Sequence, residues 1–184
     1  MGNAESAETG LDREEGKRLS ELTHFTQEEI HRWFVRFDLL DKDRTGSVGA
    51  PYLLAIPDFK GNKFLPLIFR AMDEENVGKL TFERFVRALS AVSSRAPVEE
   101  RKRFVFKVYD LDRDGQLSAT ELMSVFHILT SNSIHEGTLK SMCENTIASL
   151  DSDGDGLITY DEFKVLIGEA DMDDKFTRDY LPTN

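Results

Sequence analysis

Two stretches decide the fold, Asp110-Leu111-Asp112-Arg113-Asp114-Gly115-Gln116-Leu117-Ser118-Ala119-Thr120-Glu121 and Asp151-Ser152-Asp153-Gly154-Asp155-Gly156-Leu157-Ile158-Thr159-Tyr160-Asp161-Glu162. Both place carboxylates at the first, third, fifth and twelfth positions, Gly at the sixth and a hydroxyl at the ninth. A calcium ion takes about six to eight oxygens at roughly 2.3–2.6 Å, and a twelve-residue loop supplies them from positions 1, 3, 5, 7, 9 and 12. Asp110, Asp112 and Asp114 fill the first three places, Gln116 offers its backbone carbonyl, Ser118 its hydroxyl or a water, and Glu121 closes the shell with two oxygens. Asp151, Asp153, Asp155, Leu157 through its carbonyl, Thr159 and Glu162 repeat the set. Magnesium demands octahedral geometry at about 2.0–2.1 Å and sheds water reluctantly, so a bidentate Glu at position 12 favours calcium. Two calcium ions are expected.

Outward from these loops the chain is a repeat. An apolar helical stripe, an acidic loop with Gly and a second stripe recur four times, with loops beginning at Asp41, Asp73, Asp110 and Asp151. The entering stripes carry Trp33, Phe34, Phe37 and Leu40; Leu65, Ile68, Phe69 and Met72; Val105, Phe106 and Tyr109; and Ile147 and Leu150. Their spacing is helical, and core packing is the ordinary role of such stripes. The expected fold is therefore all-α: four EF-hands in two pairs, forming two lobes. Position 8 of each loop is an apolar strand residue that faces its partner loop, which predicts pairing of Val48 with Leu80 and of Leu117 with Ile158.

The first two loops are damaged as metal sites. Asp41, Asp43, Thr45 and Gly46 remain in the first, but Gly49 stands at position 9 and Tyr52 at position 12. Pro51 is expected to disturb the start of the exiting helix. In the second, Asp73, Glu75 and Gly78 remain, while Val77 removes a ligand at position 5 and Arg84 puts a positive charge at position 12. Neither is expected to bind calcium. The organisation read from this is a flexible N-terminal segment over 1–22, a degenerate pair of hands over 23–93, an intact pair over 98–168 and a tail over 169–184. Thr26 with Glu29 reads as a capping box. Ser93-Ser94-Arg95-Ala96-Pro97 reads as the linker.

Composition narrows the partners. The net charge of −11 over 184 residues argues against nucleic acid, which requires clustered Lys and Arg. The one cysteine, Cys143, reads as a packed thiol in a reducing compartment. No apolar run approaches the roughly 18–20 residues of a membrane span, and no signal-peptide core is present. A soluble, cytoplasmic protein is expected, peripheral at membranes at most. Met1-Gly2-Asn3-Ala4-Glu5-Ser6 fits the N-myristoylation pattern on Gly2, which gives weak, reversible membrane contact because the following stretch is not polybasic. His24, His31, His127 and His135 form no metal or triad pattern, so an enzyme is not expected.

Further segments carry a resemblance. His24-Phe25-Thr26-Gln27-Glu28-Glu29-Ile30, Ile56-Pro57-Asp58-Phe59 with Asn62, Arg103-Phe104-Val105-Phe106-Lys107-Val108-Tyr109-Asp110 and the Met-Gly-Asn start resemble the calcineurin B regulatory subunits. The resemblance implies a calmodulin/calcineurin B-like fold and a myristoylated subunit. It also implies that such a subunit grips an amphipathic helix of a serine/threonine phosphatase catalytic chain in a hydrophobic groove. Calcineurin B keeps four metal-competent hands, whereas this sequence keeps two. That pattern is similar to the calcineurin B homologous proteins, which bind sodium/proton exchangers, and to the calcium- and integrin-binding proteins. The short linker at 93–97 is similar to calcineurin B itself. Phe104, Val108, Met123, Phe64 and Phe69 are read as groove-lining. Five Met against thirteen Phe favours a dedicated partner. A structural EF-hand protein held in a cytoskeletal or other scaffold is the alternative.

Overall fold

A computed structural model describes residues 10–56 and 63–166. Its elements are α1 (Arg13–Leu22), α2 (Gln27–Asp38), β1 (Ser47–Gly49), α3 (Ala50–Leu53), α4 (Leu65–Met72), β2 (Lys79–Thr81) and α5 (Phe82–Ala91), followed by α6 (Val98–Tyr109), β3 (Gln116–Leu117), α7 (Ala119–Thr130), α8 (Glu136–Leu150), β4 (Ile158–Thr159) and α9 (Tyr160–Leu166). From α2 onward this is helix, loop and helix four times. Among the described residues no helix is long and apolar enough to cross a membrane.

The loops join in pairs by their position-8 residues. β1 runs antiparallel to β2 with Val48 opposite Leu80, and β3 runs antiparallel to β4 with Leu117 opposite Ile158. All four side chains are buried, at 2% exposure or less. Pairing thus persists in the degenerate hands, because main-chain bonds and apolar burial need no ion. The capping box at Thr26 and Glu29 opens α2 with both of its bonds present. Pro51 does not break α3. It sits in the first turn, where its missing N–H has no intrahelical partner to lose, and the helix ends after one turn.

Residues 13–22 depart from the flexible segment expected over 1–22. They form α1, capped by the Asp12 side chain on the Glu14 N–H at 3.4 Å, and they lie against α2 and α5. Leu19 is fully buried, and Arg18 Nη2 meets Glu83 Oε2 at 2.8 Å. Leu19 anchors α1 in the core, with Leu11 packed beside it, and Arg18 ties it to α5, contacts made to residues remote in sequence.

The lobes share a core. Val108 of α6 and Val125 of α7 belong to the same buried cluster as Leu19, Phe37, Leu80 and Phe85, with Phe104, Tyr109, Leu111 and Leu129 packed against it. A second cluster, Val105, Phe106, Leu117, Leu122, Leu139, Cys143, Ile147, Ile158 and Phe163, fills the C-terminal hands. Burial pushes the Cys143 thiol up, with help from the charge of Glu144. Two residues assigned to a partner groove are therefore core: Val108 is 5% exposed and Phe69 4%. The α6 face carrying Phe104 and Val108 is covered by the other lobe. Phe64, Phe104 and Met123 remain half-buried.

The linker is held as well. Arg95 donates from Nη1 and Nη2 to the two oxygens of Glu29 at 2.7 and 2.8 Å, and from Nη1 to the His24 carbonyl at 3.3 Å. The guanidinium, together with donors from Thr26, brings the Glu29 carboxyl down to about 2 against the opposing effect of burial. A lowered carboxylate favours the folded, ionised state above its ordinary value near 4.5 and loses that advantage as pH falls towards about 2. We predict that Glu29→Gln, which keeps the capping box, flattens the fall of the urea midpoint between pH 4.5 and 2. An acid slope equal to the parent's would remove Glu29 from the acid sensitivity of the fold.

Candidate metal centre

In both intact loops the sixth residue must turn the chain with positive φ, +87° at Gly115 and +84° at Gly156. A side chain is strained at that angle even with open space around it. The turn folds the loop onto its own carboxylates. One oxygen each from Asp110, Asp112 and Asp114 lie within 4.8 Å of one another, and so do those of Asp151, Asp153 and Asp155. Oxygens at about 2.3–2.6 Å from a shared ion would have this spread.

Asp110 Oδ2 accepts from the Gly115 N–H at 3.1 Å, but Oδ1 is buried without a hydrogen-bond partner. A buried, unpartnered carboxylate oxygen is costly. Burial pushes this carboxyl up, and the charges of Glu121 and Asp114 add to the shift. A cation at the loop centre removes both penalties, so the residues present fit calcium. Asp151 differs: its oxygens accept from Gly154 N–H at 2.7 Å and Gly156 N–H at 2.8 Å, and these donors, Gly156 first, hold it below the ordinary range.

The position-12 carboxylates are fixed by their own loops. Glu121 Oε1 accepts from Leu111 N–H at 2.7 Å, and Oε2 accepts from the Ser118 N–H and hydroxyl, each at 2.8 Å. Burial opposes ionisation of Glu121, yet the donors from Ser118, Asp112 and Leu111 outweigh it and hold the carboxyl low. Glu162 accepts from Ser152 N–H and hydroxyl at 2.8 and 2.7 Å and from Thr159 N–H and hydroxyl at 2.9 and 2.8 Å. These bonds, that of the Ser152 N–H first, take it to about 2. Ser118 with Glu121 forms the capping box of α7, so two expected ligands also start the exiting helix. Gln116 lies in β3 and Leu157 directly precedes β4. Gly2 lies outside the described residues.

The degenerate loops make the same closure on backbone amides. Asp41 accepts from Thr45 N–H at 3.0 Å and Gly46 N–H at 2.7 Å, and Asp73 from Val77 N–H at 3.0 Å and Gly78 N–H at 2.6 Å. Arg84 Nη2, from position 12 of the second loop, donates to Glu75 Oε1 of position 3 at 2.6 Å. An internal cation thus meets a carboxylate that calcium would otherwise hold. The Arg84 signal was legible as a lost ligand, whereas its pairing with Glu75 was not anticipated. We predict that Val77→Asp with Arg84→Glu raises calcium stoichiometry by one ion in titration calorimetry. Arg84→Gln alone should leave the urea midpoint close to the parent's, since the pair is largely exposed. Unchanged stoichiometry in the double variant would show that this loop's backbone, and not only its ligand set, excludes the ion.

A cavity of about 800 Å³ opens beside this second loop, lined in part by Leu22, Met72, Val77, Ala91 and Phe104. Its charged lining residues include both members of the ion pairs Arg84–Glu75, Arg87–Glu83 and Lys107–Glu74.

The EF-hand domain pair family matches residues 99–167, and a second EF-hand domain pair description matches residues 62–91. The chain is 33% identical to the calcineurin B subunit of Naegleria gruberi over 169 residues, covering 92% of this chain and 96% of that protein. It is 34% identical to the calcineurin B subunit of Schizosaccharomyces pombe, over 84% of this chain and 89% of that protein. It is 31% identical to the type 2 calcineurin B subunit of Homo sapiens, over 83% and 90% respectively.

Proposed function

The chain belongs to the calcineurin B family of EF-hand proteins, and from that premise we propose that it is a calcium-binding regulatory subunit of a calcineurin-type serine/threonine phosphatase catalytic chain. The observation that carries the reading is a family likeness running through all four hands while complete ligand sets remain only in the third and fourth loops. Calcium bound there supplies the positive charge that lets four carboxylates per loop converge. Asp110, Asp112, Asp114, Gln116, Ser118 and Glu121 hold one ion, and Asp151, Asp153, Asp155, Leu157, Thr159 and Glu162 the other. The first two hands keep their shape through internal hydrogen bonds and grip the partner without an ion of their own.

That partner is read as an amphipathic helix. With Val108 and Phe69 buried in the core, the apolar side chains available to it are those left to solvent. Val35, Leu39 and Tyr52 on the first hand, at 38%, 71% and 59% exposure, are among them. The same reading assigns myristoylation to Gly2, a cytoplasmic location and only weak, reversible membrane contact. Intact-mass spectrometry of the protein from its own cells checks the acylation.

The deciding experiment is affinity capture of the tagged chain from its source cells, first with calcium and then with chelator. Recovery of a phosphatase catalytic chain supports the proposal, and its calcium dependence separates gating of assembly from gating of activity. Recovery of an ion exchanger or a cytoskeletal assembly without any phosphatase overturns it.

A further inference from the structure

The third loop sends its position-4 side chain out of its own hand. Arg113, flanked by the ligand candidates Asp112 and Asp114, adopts φ +66° and is half-buried. Its Nη1 donates to the Glu74 carbonyl at 2.7 Å, and its Nη2 to the Arg70 and Asp73 carbonyls at 2.8 and 2.6 Å. These carbonyls terminate α4 and begin the second loop. The last carbonyls of a helix lack intrahelical donors, and a cation there is favoured by the helix dipole.

The connection also runs back. Arg70 Nη2 donates to the Leu111 carbonyl at 2.9 Å, and Lys107 of α6 pairs with the Glu74 carboxylate. Asp73, whose carbonyl Arg113 holds, in turn organises the second loop through the Val77 and Gly78 amides. A continuous chain of hydrogen bonds thus leads from the ligand run of loop three to the turn of loop two. Charge-assisted bonds of this kind exceed neutral ones in strength.

We propose that Arg113 couples calcium occupancy of the third loop to the order of the second hand, which has no ion of its own. The proposal rests on the reading of loop three as a calcium site. Closing Asp112 and Asp114 around an ion fixes the backbone on both sides of Arg113. The guanidinium then clamps the end of α4 at lower entropic cost. The coupling is reciprocal: whatever orders the second hand must raise calcium affinity at loop three.

Hydrogen exchange on the full chain, with calcium and with chelator, tests this through the Val77 and Gly78 amides, with calorimetry counting ions in parallel. In the parent, calcium is expected to slow these two amides by about tenfold or more, the effect of roughly one charge-assisted hydrogen bond. Glu162→Gln should retain the slowing and Glu121→Gln should lose it. Arg113→Gln should bind the same number of ions and lose the slowing, while Arg113→Lys, which keeps the charge without the fork, should retain only part. Full slowing in Arg113→Gln, no slowing in the parent, or loss in Glu162→Gln alone would each overturn the coupling. An absence of calcium from loop three in the parent, seen directly in the stoichiometry, would instead overturn the site reading beneath it.

Discussion

Glu121→Gln and Glu162→Gln are each expected to remove one calcium ion per chain, and the double variant to bind none with useful affinity. The position-12 side chain is the bidentate ligand, so the amide loses both a charge and one of two anionic oxygens. A loss of at least about 100-fold in affinity, roughly 3 kcal/mol, is the expected scale for each loop. The substitution keeps the helix cap, with the amide oxygen on the Ser118 side of the box and its NH2 turned towards the Leu111 and Asp112 N–H groups. Glu121 closes the capping box of α7 with Ser118, and Gln serves that box nearly as well. The helix content of either variant should match the parent's in far-ultraviolet circular dichroism while calorimetry loses one binding event. A variant that still binds two ions would show that Asp110, Asp112 and Asp114, or their counterparts in the fourth loop, hold the metal without the closing glutamate.

The second large effect is expected far from any ion. Phe85 is fully buried, with its ring 5.9 Å from Trp33 in an edge contact and 5.6 Å from Phe37. Phe85→Ala removes most of an aromatic side chain where α2 and α5 meet and leaves a cavity that neighbouring rings cannot fill without moving. A loss of about 3–5 kcal/mol is expected, which for a chain of this size lowers the melting temperature by roughly 6–20 °C. That is a large share of the roughly 5–15 kcal/mol that folds a typical domain. Tyr52→Ala, at a site 59% exposed, should stay within about 0.5 kcal/mol and serves as the control. Trp33 is the one tryptophan and touches Phe85, so its emission reports the loss directly. Equal melting temperatures for the two variants would mean that the first hand does not depend on this aromatic contact.

The turns of the acidic loops and the pairing of hands were readable because their determinants are local. Ligand order, the turn at Gly115 or Gly156, the Ser118–Glu121 cap and the position-8 residues all lie within twelve positions of one another. Their geometry follows from backbone rules that hold in any such loop. The damage to the first two loops was equally visible, since a missing carboxylate at position 5 or 12 needs no tertiary information. Even Val48 opposite Leu80 followed from position number alone.

Other features depend on what lies opposite in space. Val108 is apolar on a face of α6 that the helical period left free, and only the docking of the two lobes shows that the N-terminal core covers it rather than a partner. The polar stretch at 13–22 becomes a helix because Leu19 finds an apolar hollow and Arg18 finds Glu83, more than sixty residues away. Arg84 reads as a lost ligand and becomes the counterion of Glu75. Arg113, at a loop position that supplies no ligand, reaches across to the carbonyls at the end of α4. Spacing along the chain is enough to say where the loop carboxylates gather and how the hands pair, because both are short-range consequences of it. Which apolar faces stay open to solvent and how the lobes are joined depend on the folded chain, because burial and charge pairing arise between residues far apart in sequence.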